Sequence, residues 1–176
     1  RIEERKAQAP VLSKGELFSD IDAAVTTFEA SNAVVAEYAA TGTIRISDEI
    51  MTYTGRATST NGVTFTGVTR GTDNTTADEH SQDDAVQQCL RYTDISINDA
   101  VEDLLTTYGG IGAAFLDTTN WATEISSYLV SYRLTTLITR PTAVSALVSQ
   151  LQSQALFYIW WDERDALVKL KAIRGI

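Results

Sequence analysis

His80 is the only histidine of the chain, and histidine is the side chain best suited to acid–base chemistry near neutral pH. In a Ser-His-Asp arrangement it would be the base for a serine placed on a sharp strand-to-helix turn, and no G-x-S-x-G pattern occurs in the sequence. Its neighbours are mostly threonine and aspartate, which is typical of a loop fixed by hydrogen bonds. We therefore interpret His80 as a structural residue rather than a catalytic one.

Acidic side chains crowd the same loop, over residues 73–84, and they are Asp73, Asp78, Glu79, Asp83 and Asp84. Carboxylate oxygens suit hard cations, but a calcium loop also needs a central glycine and a terminal bidentate glutamate at fixed spacing. This loop lacks that spacing. A solvated acidic loop is the favoured interpretation, and a bound cation is the alternative.

Two further groups of residues near the end of the chain could do chemistry. Asp162, Glu163 and Asp165 resemble the paired carboxylates of glycosidases, but they occupy a predicted tight turn where water reaches them. Trp160 and Trp161 could stack on sugars or form an interaction surface, yet neighbouring strand residues point to opposite faces. Gly42, Gly55, Gly67 and Gly71 are separated by predicted strands and form no phosphate-binding loop. The sequence therefore predicts no catalytic, cofactor-binding or metal-binding residues, and no enzyme.

Composition excludes several classes of partner. The net charge of −9 opposes binding to nucleic acid through its phosphates. No run approaches the roughly 18 apolar residues of a membrane span, so none is predicted. The lone Cys89 excludes an intrachain disulfide and is expected to be a small buried residue. Because the chain starts at Arg1 in a charged, unpatterned stretch, we expect a segment of a longer or processed polypeptide.

The residues that precede and carry the loop predict a small antiparallel β domain. Residues 1–16, with Pro10 near their end, read as an extended connector. A β module is predicted over residues 17–92, sandwich-like or barrel-like, because short alternating runs are separated by turn residues. At its start a helix is the alternative, but Val25-Thr-Thr-Phe favours a strand. Asn61-Gly62 predicts a type I′ hairpin.

After Tyr92 the hydrophobic period becomes helical, which predicts an α+β module over residues 93–176. A first helix is expected after a Ser96 cap, a second near Asp117-Thr118, and a third beginning at Pro141. A strand is expected over residues 133–139, and a hairpin over residues 156–173 ends the chain. The predicted fold class is α+β, a small antiparallel β domain followed by a three-helix plus β-hairpin module.

Two stretches of this sequence resemble tail-tip and baseplate hub proteins of tailed bacteriophages and gene transfer agents. The first contains Gly42-Thr-Ile-Arg-Ile, Asp48-Glu-Ile, Tyr53-Thr-Gly, Val68-Thr-Arg-Gly, Thr76-Ala and His80. It is similar to a β module that recurs in such proteins. The second contains Leu137-Ile-Thr-Arg-Pro-Thr, Tyr158-Ile-Trp-Trp-Asp-Glu-Arg and Leu170-Lys-Ala-Ile. It is similar to a domain of the tail hub ring.

The resemblance implies a virion structural protein, located at the tail tip, that acts by assembly. It implies a symmetric homo-oligomer, most commonly a trimer, with the β module inserted on its outside and other tail or baseplate proteins as partners. No cofactor is implied. A carbohydrate- or receptor-binding module of a virion or cell surface is the alternative, and a fragment of a cell-wall hydrolase is a third possibility.

Six residues of the first stretch are expected to preserve the β module, and they are Gly42, Glu49, Tyr53, Arg70, Gly71 and His80. Among them Arg70 is expected to pair with Glu49. His80 is expected to hold the acidic loop in place beside that pair. These residues would then form a network that fixes the fold.

Overall fold

The computed structural model describes residues 7–174 and divides the chain into two compact units. The hairpin unit comprises residues 7–9, 92–136 and 142–174. The sandwich unit comprises residues 10–91 and 137–141. Along the sequence, the sandwich unit therefore interrupts the hairpin unit. The predicted connector over residues 1–16 lies partly outside the described residues, and its residues from Pro10 onward belong to the sandwich unit.

Strands are the main secondary structure of the described residues, and the strand pairs given below are antiparallel. The strands are β1 (Gln8–Ala9), β2 (Glu16–Leu17), β3 (Thr27–Ser31), β4 (Gly42–Ile46), β5 (Glu49–Tyr53), β6 (Gly55–Thr58), β7 (Gly62–Thr66), β8 (Thr69–Thr72), β9 (Val86–Gln88), β10 (Leu90–Ser96), β11 (Arg133–Ile138), β12 (Thr142–Ala143), β13 (Phe157–Asp162) and β14 (Leu167–Ala172). The α-helices are α1 (Ile97–Asp103), α2 (Thr118–Tyr128) and α3 (Val144–Ala155).

The predicted α+β class is wrong, because the fold is mainly β. Strands make up 39% of the described residues, and the helices among them are too few and short to balance them. Two features of the second half explain the error. Helix α1 has seven residues and then gives way to a π-helical turn over Leu104–Tyr108. Pro141 starts no helix, since Thr142–Ala143 pair with Gln8–Ala9 as a short strand and α3 begins only at Val144.

The sandwich unit contains two four-stranded antiparallel sheets, with strand orders β2-β3-β7-β6 and β8-β5-β4-β9. Side chains from both sheets form one buried core. Phe65 lies at its centre, fully buried, with its ring 5.0 Å from those of Tyr38 and Tyr53 and 5.3 Å from that of Phe28. Alternation along the strands buries Val63 and Phe65 on the same face. The ambiguous start of the module is a strand, β3.

The hairpin predicted at Asn61-Gly62 joins β6 and β7, but its turn is not type I′. Thr58 pairs with Val63, so four residues form the loop. Type I′ geometry needs positive φ at both central positions. Gly62 has a φ of 157°, whereas the φ of Asn61 is not positive. The Ser59 side chain instead accepts a hydrogen bond from the Gly62 N–H at 3.1 Å and closes the loop.

The hairpin unit is organised around β13 and β14, which pair in register from Phe157 with Ala172 to Asp162 with Leu167. Helix α1 has the predicted cap, with the Asp99 N–H donating to Ser96 Oγ at 3.4 Å. Helix α2 packs against β14. Its fully buried Trp121 donates from Nε1 to the Val168 carbonyl at 3.1 Å. Within residues 7–174, no helix combines the length and apolar character needed to span a bilayer.

Candidate functional site

Glu49 is the central residue of the candidate site. It lies in a strand of the sandwich unit and is only 2% exposed. It is the first residue of β5 and pairs with Ile46 of β4. The tight turn before it uses Ser47 at φ 50°. Burial of a carboxylate is costly unless donors compensate the charge, so its partners decide what the site is.

Arg70 lies on the neighbouring strand β8 and forms a two-point ion pair with Glu49. Its Nε donates to Oε1 and its Nη2 to Oε2, both at 2.8 Å, and its side chain is 6% exposed. The same guanidinium donates from Nη2 to the Asp78 carbonyl at 2.6 Å and from Nη1 to the Asp22 carbonyl. Arg70 therefore ties the strand pair to two separate loops.

His80 reaches the same carboxylate from the acidic loop. Its Nε2 lies 2.8 Å from Oε2 of Glu49, with both side chains nearly fully buried. Because the carboxylate accepts, the proton of this hydrogen bond is on Nε2. The backbone of His80 also exchanges two hydrogen bonds with Ile21, at 2.9 and 3.0 Å. Side chain and backbone together fix this point of the loop.

Two backbone N–H groups complete the environment of the Glu49 carboxylate. The Gly71 N–H donates to Oε1 at 2.8 Å, and the Asp78 N–H donates to Oε2 at 3.1 Å. Burial by itself would raise the pKa of Glu49, but the hydrogen bonds from Arg70 and His80, with those from Asp78 and Gly71, lower the pKa to about 2. The carboxylate is thus a firmly charged acceptor, and it is poorly suited to act as a general base.

Gly71 is required by its backbone conformation as well as by its hydrogen bond. It has φ of 60°, and a Cβ there would lie 2.8 Å from the Ala77 nitrogen and 3.2 Å from the Thr75 oxygen. We expect Gly71→Ala to lower the free energy of unfolding by about 2 kcal/mol or more, since an L-residue in this region already costs about 1–2 kcal/mol. Urea denaturation measures the change.

Gly110 provides the matched control for that substitution. Its φ is 70°, but a Cβ there would meet no heavy atom within 4 Å. Gly110→Ala should therefore carry the conformational cost alone, about 1 kcal/mol. If the two alanine variants lost equal stability, the close backbone approach at Gly71 would have no energetic weight.

The other two motif residues, Gly42 and Tyr53, lie at the opposite end of the β4–β5 hairpin. They pair directly with each other, four residues along the strands from the pair of Glu49 and Ile46. Tyr53 donates its hydroxyl to the Ala39 carbonyl at 2.7 Å and also lies 2.8 Å from Oε1 of Gln88. Burial raises its pKa. The structure thus gathers four of the six motif residues around one carboxylate and places two in a separate cluster.

The acidic loop uses its carboxylates for local contacts. Asp73 pairs with Arg91 at 2.5 Å, and Arg91 lowers its pKa. Asp78 accepts from the Glu79 N–H at 2.9 Å, and Asp84 accepts from the Ser81 N–H at 3.0 Å. Nowhere in residues 7–174 do three or more histidine, cysteine or acidic side chains converge as metal ligands. Three of the five acidic residues of the loop, Asp73, Asp78 and Asp84, thus take part in local contacts.

The two tryptophans predicted as an interaction surface point to opposite faces of β13. Trp160 lies against Tyr158, with ring centroids 5.0 Å apart and planes at 30°, whereas Trp161 lies 6.4 Å from Phe115. Trp160 is 38% and Trp161 51% exposed. Because Tyr158 covers one face of Trp160, the pair offers less stacking area to a sugar than two free rings would.

Several residues that contact the candidate site residues were not predicted from the sequence, for different reasons. The carbonyls of Asp22 and Asp78 accept from Arg70, and every residue type carries a carbonyl, so no residue type indicates them. A contact between Tyr158 and Trp160 could have been predicted, because the two residues are two positions apart in a strand and their side chains share one face. Cys89 is buried as expected, and burial raises the pKa of its thiol to about 12.

Comparison of the chain with models of known protein families, with curated protein sequences and with solved structures gives no match.

Proposed function

We propose that this chain is a non-enzymatic structural component of a tailed-phage tail tip or baseplate hub, where copies assemble into a symmetric ring of three. In this proposal the sandwich unit is a rigid module presented by the assembly. The hairpin unit supplies the contacts between subunits. The proposal starts from the resemblance of the motif residues and of the C-terminal stretch to such hub proteins.

The main support for a non-enzymatic role is that both oxygens of the Glu49 carboxylate are occupied by hydrogen bonds within the chain. Both oxygens accept hydrogen bonds from groups of the same unit, and the only histidine is committed to one of them. Within the described residues, no fully buried side-chain nitrogen or oxygen lacks a partner. A general base needs access to a substrate proton. These contacts support a fold-fixing role for the motif residues.

A second observation supports assembly. Exposed large apolar side chains are concentrated in the hairpin unit, and they are Phe115, Tyr128, Val130, Tyr132, Leu156, Tyr158, Trp160, Trp161 and Ile173. Tryptophan and tyrosine are enriched among the residues that dominate binding energy at protein interfaces. Large contiguous apolar patches on a protein surface mark interaction sites. A subunit of a ring would bury such side chains against its neighbours.

Sedimentation velocity over a wide concentration range tests the proposal. We expect one discrete assembly with the mass of three chains, seen as closed rings by negative-stain electron microscopy. A monomer at every concentration, or activity of the chain against peptidoglycan in a zymogram, would contradict it. Nucleic acid is not expected as a partner, because the net charge of −9 opposes binding to its phosphates.

A further inference from the structure

The loop between β6 and β7 places an exposed asparagine directly before a glycine. Asn61 lies in the four-residue loop that the pairing of Thr58 with Val63 closes, and its side chain is exposed. Asparagine is one of the chemically labile residues of proteins. Of the five asparagines of the sequence, Asn61 alone is followed by glycine. The residues that follow the other four are Ala33, Thr75, Asp99 and Trp121.

The following glycine matters because its backbone nitrogen is the nucleophile that attacks an asparagine side chain. A Cβ on the following residue obstructs the approach of that nitrogen to the carboxamide carbon. Glycine has no Cβ and also permits the widest range of backbone angles. The local sequence therefore favours reaction at Asn61 over reaction at each of the other asparagines.

The reaction needs only water and hydroxide as co-reactants. Hydroxide removes the proton of the Gly62 nitrogen, which then forms a bond to Cγ of Asn61. The bond from Cγ to Nδ2 breaks, and Nδ2 takes up a proton from water and leaves as ammonia. Water opens the resulting cyclic imide at one of its two carbonyls. Opening at Cγ gives aspartate, and opening at the backbone carbonyl gives isoaspartate, in which the chain continues through the side chain.

In the folded loop both reacting groups are held by hydrogen bonds. The Gly62 N–H donates to Ser59 Oγ at 3.1 Å, and Asn61 Nδ2 donates to Oε2 of Glu29 at 3.2 Å. The Ser59 hydroxyl donates to Oε1 of the same carboxylate. Hydrogen bonds from Ser59 and Asn61 lower the pKa of Glu29, so the carboxylate stays charged and keeps accepting. Attack on Cγ requires that the Gly62 N–H leave Ser59 and that the carboxamide leave Glu29.

We propose that Asn61 is a site of spontaneous deamidation in this chain, and that Ser59 and Glu29 slow the reaction in the folded state. The product replaces a donor to Glu29 by a second carboxylate, and like charges at this distance repel. Isoaspartate also lengthens the backbone immediately before Gly62. That backbone has no free space, because a Cβ on Gly62 would collide with the Ala30 carbonyl. The modification therefore loosens the start of β7.

Peptide mapping of the full 176-residue chain, aged in mildly alkaline buffer, tests the proposal. Trypsin cleaves after Arg56 and Arg70, so the peptide 57–70 contains Asn61 and no other asparagine. Mass spectrometry measures the gain in mass as the amide is replaced by an acid, and chromatography separates the aspartate and isoaspartate forms. We expect the gain in this peptide first, and faster in concentrated urea than in the folded chain. A sample digested before ageing corrects for change during digestion.

Two variants remove the restraints separately. Ser59→Ala removes the acceptor of the Gly62 N–H, and Glu29→Ala releases the Asn61 carboxamide. Because one hydrogen bond contributes a modest factor, we expect the folded variants to deamidate about 5-fold faster than the unmodified chain. Thr60→Ala is the matched control, since it changes an exposed residue of the same loop and should leave the rate unchanged. Circular dichroism spectra should show that all three variants fold.

Two results would overturn the proposal. If the peptide 57–70 kept its mass in the folded chain while the chain in urea converted, Asn61 would not be a modification site of the folded protein. If Ser59→Ala and Glu29→Ala converted no faster than Thr60→Ala, these hydrogen bonds would not restrain the reaction. Slower conversion of Glu29→Ala would likewise contradict it, because Glu29 would then promote the reaction.

Discussion

Replacing Arg70 by alanine is expected to lower the melting temperature of the sandwich unit by at least about 10 °C. Removal of one partner of a buried pair leaves an uncompensated charge and costs about 3–5 kcal/mol. The lower end of that range applies, because His80 and two backbone N–H groups still bind Glu49. For a domain of this size, each 1 kcal/mol shifts the melting temperature by about 4–8 °C. Differential scanning calorimetry measures the shift.

Native-state hydrogen exchange locates the effect of Arg70→Ala within the chain. The amides of Gly71 and Asp78 donate to Glu49, so their protection should fall in this variant. Trp121, Trp160 and Trp161 are the only tryptophans and all lie in the hairpin unit. Fluorescence therefore reports on that unit and should show its folded environment unchanged at low temperature.

Arg91→Ala is the control, because Arg91 forms an ion pair with Asp73 on the same unit but in a more exposed place. The two side chains are 36% and 28% exposed. Partly exposed pairs contribute about 0–1 kcal/mol, so the melting temperature should fall by no more than about 8 °C. Similar losses for Arg70→Ala and Arg91→Ala would show that burial gives the Glu49 pair no special weight.

Local patterns predicted most individual elements, while the fold class depended on pairings that no local pattern carries. Ser96 caps α1 and the β13–β14 hairpin occupies its predicted place, because capping and alternation are encoded within a few residues. The pairing of Gln8–Ala9 with Thr142–Ala143 joins residues more than one hundred positions apart. Only tertiary structure brings such segments together. Thr142–Ala143, where a helix was predicted to begin, therefore form a short strand.

The candidate site shows the same division. The motif that carries the resemblance contains Glu49, Arg70 and His80, and the opposite charges of Glu49 and Arg70 were enough to expect that they pair, with His80 beside them. The backbone carbonyls that accept hydrogen bonds from Arg70 could not be predicted in this way, because every residue has a carbonyl. The separation of Tyr53 from this network followed from strand register, which the turn at Ser47 sets. The sequence therefore indicated a set of side chains, and strand register determines which of them meet.

The low pKa of Glu49 predicts a pH dependence of stability with a definite sign. The pKa falls from an ordinary value of 4.5 to about 2 in the folded state, so folding favours the charged form. The stabilisation is complete above pH 4.5 and is lost as the pH falls from there towards 2. By linkage this difference corresponds to about 3 kcal/mol.

Comparison with Glu49→Gln separates this contribution from those of other carboxylates, because Asp73 and Asp117 also have lowered pKa values. Glutamine keeps the shape of the side chain but cannot titrate, so Arg70 and His80 face a neutral group at every pH. The difference in unfolding free energy between the two proteins, from urea titrations, should be largest above pH 5. It should shrink by about 3 kcal/mol on approach to pH 2. A difference that stays constant over this range would mean that Glu49 has the same proton affinity in the folded and unfolded chain, and that the buried network does not select its charged form.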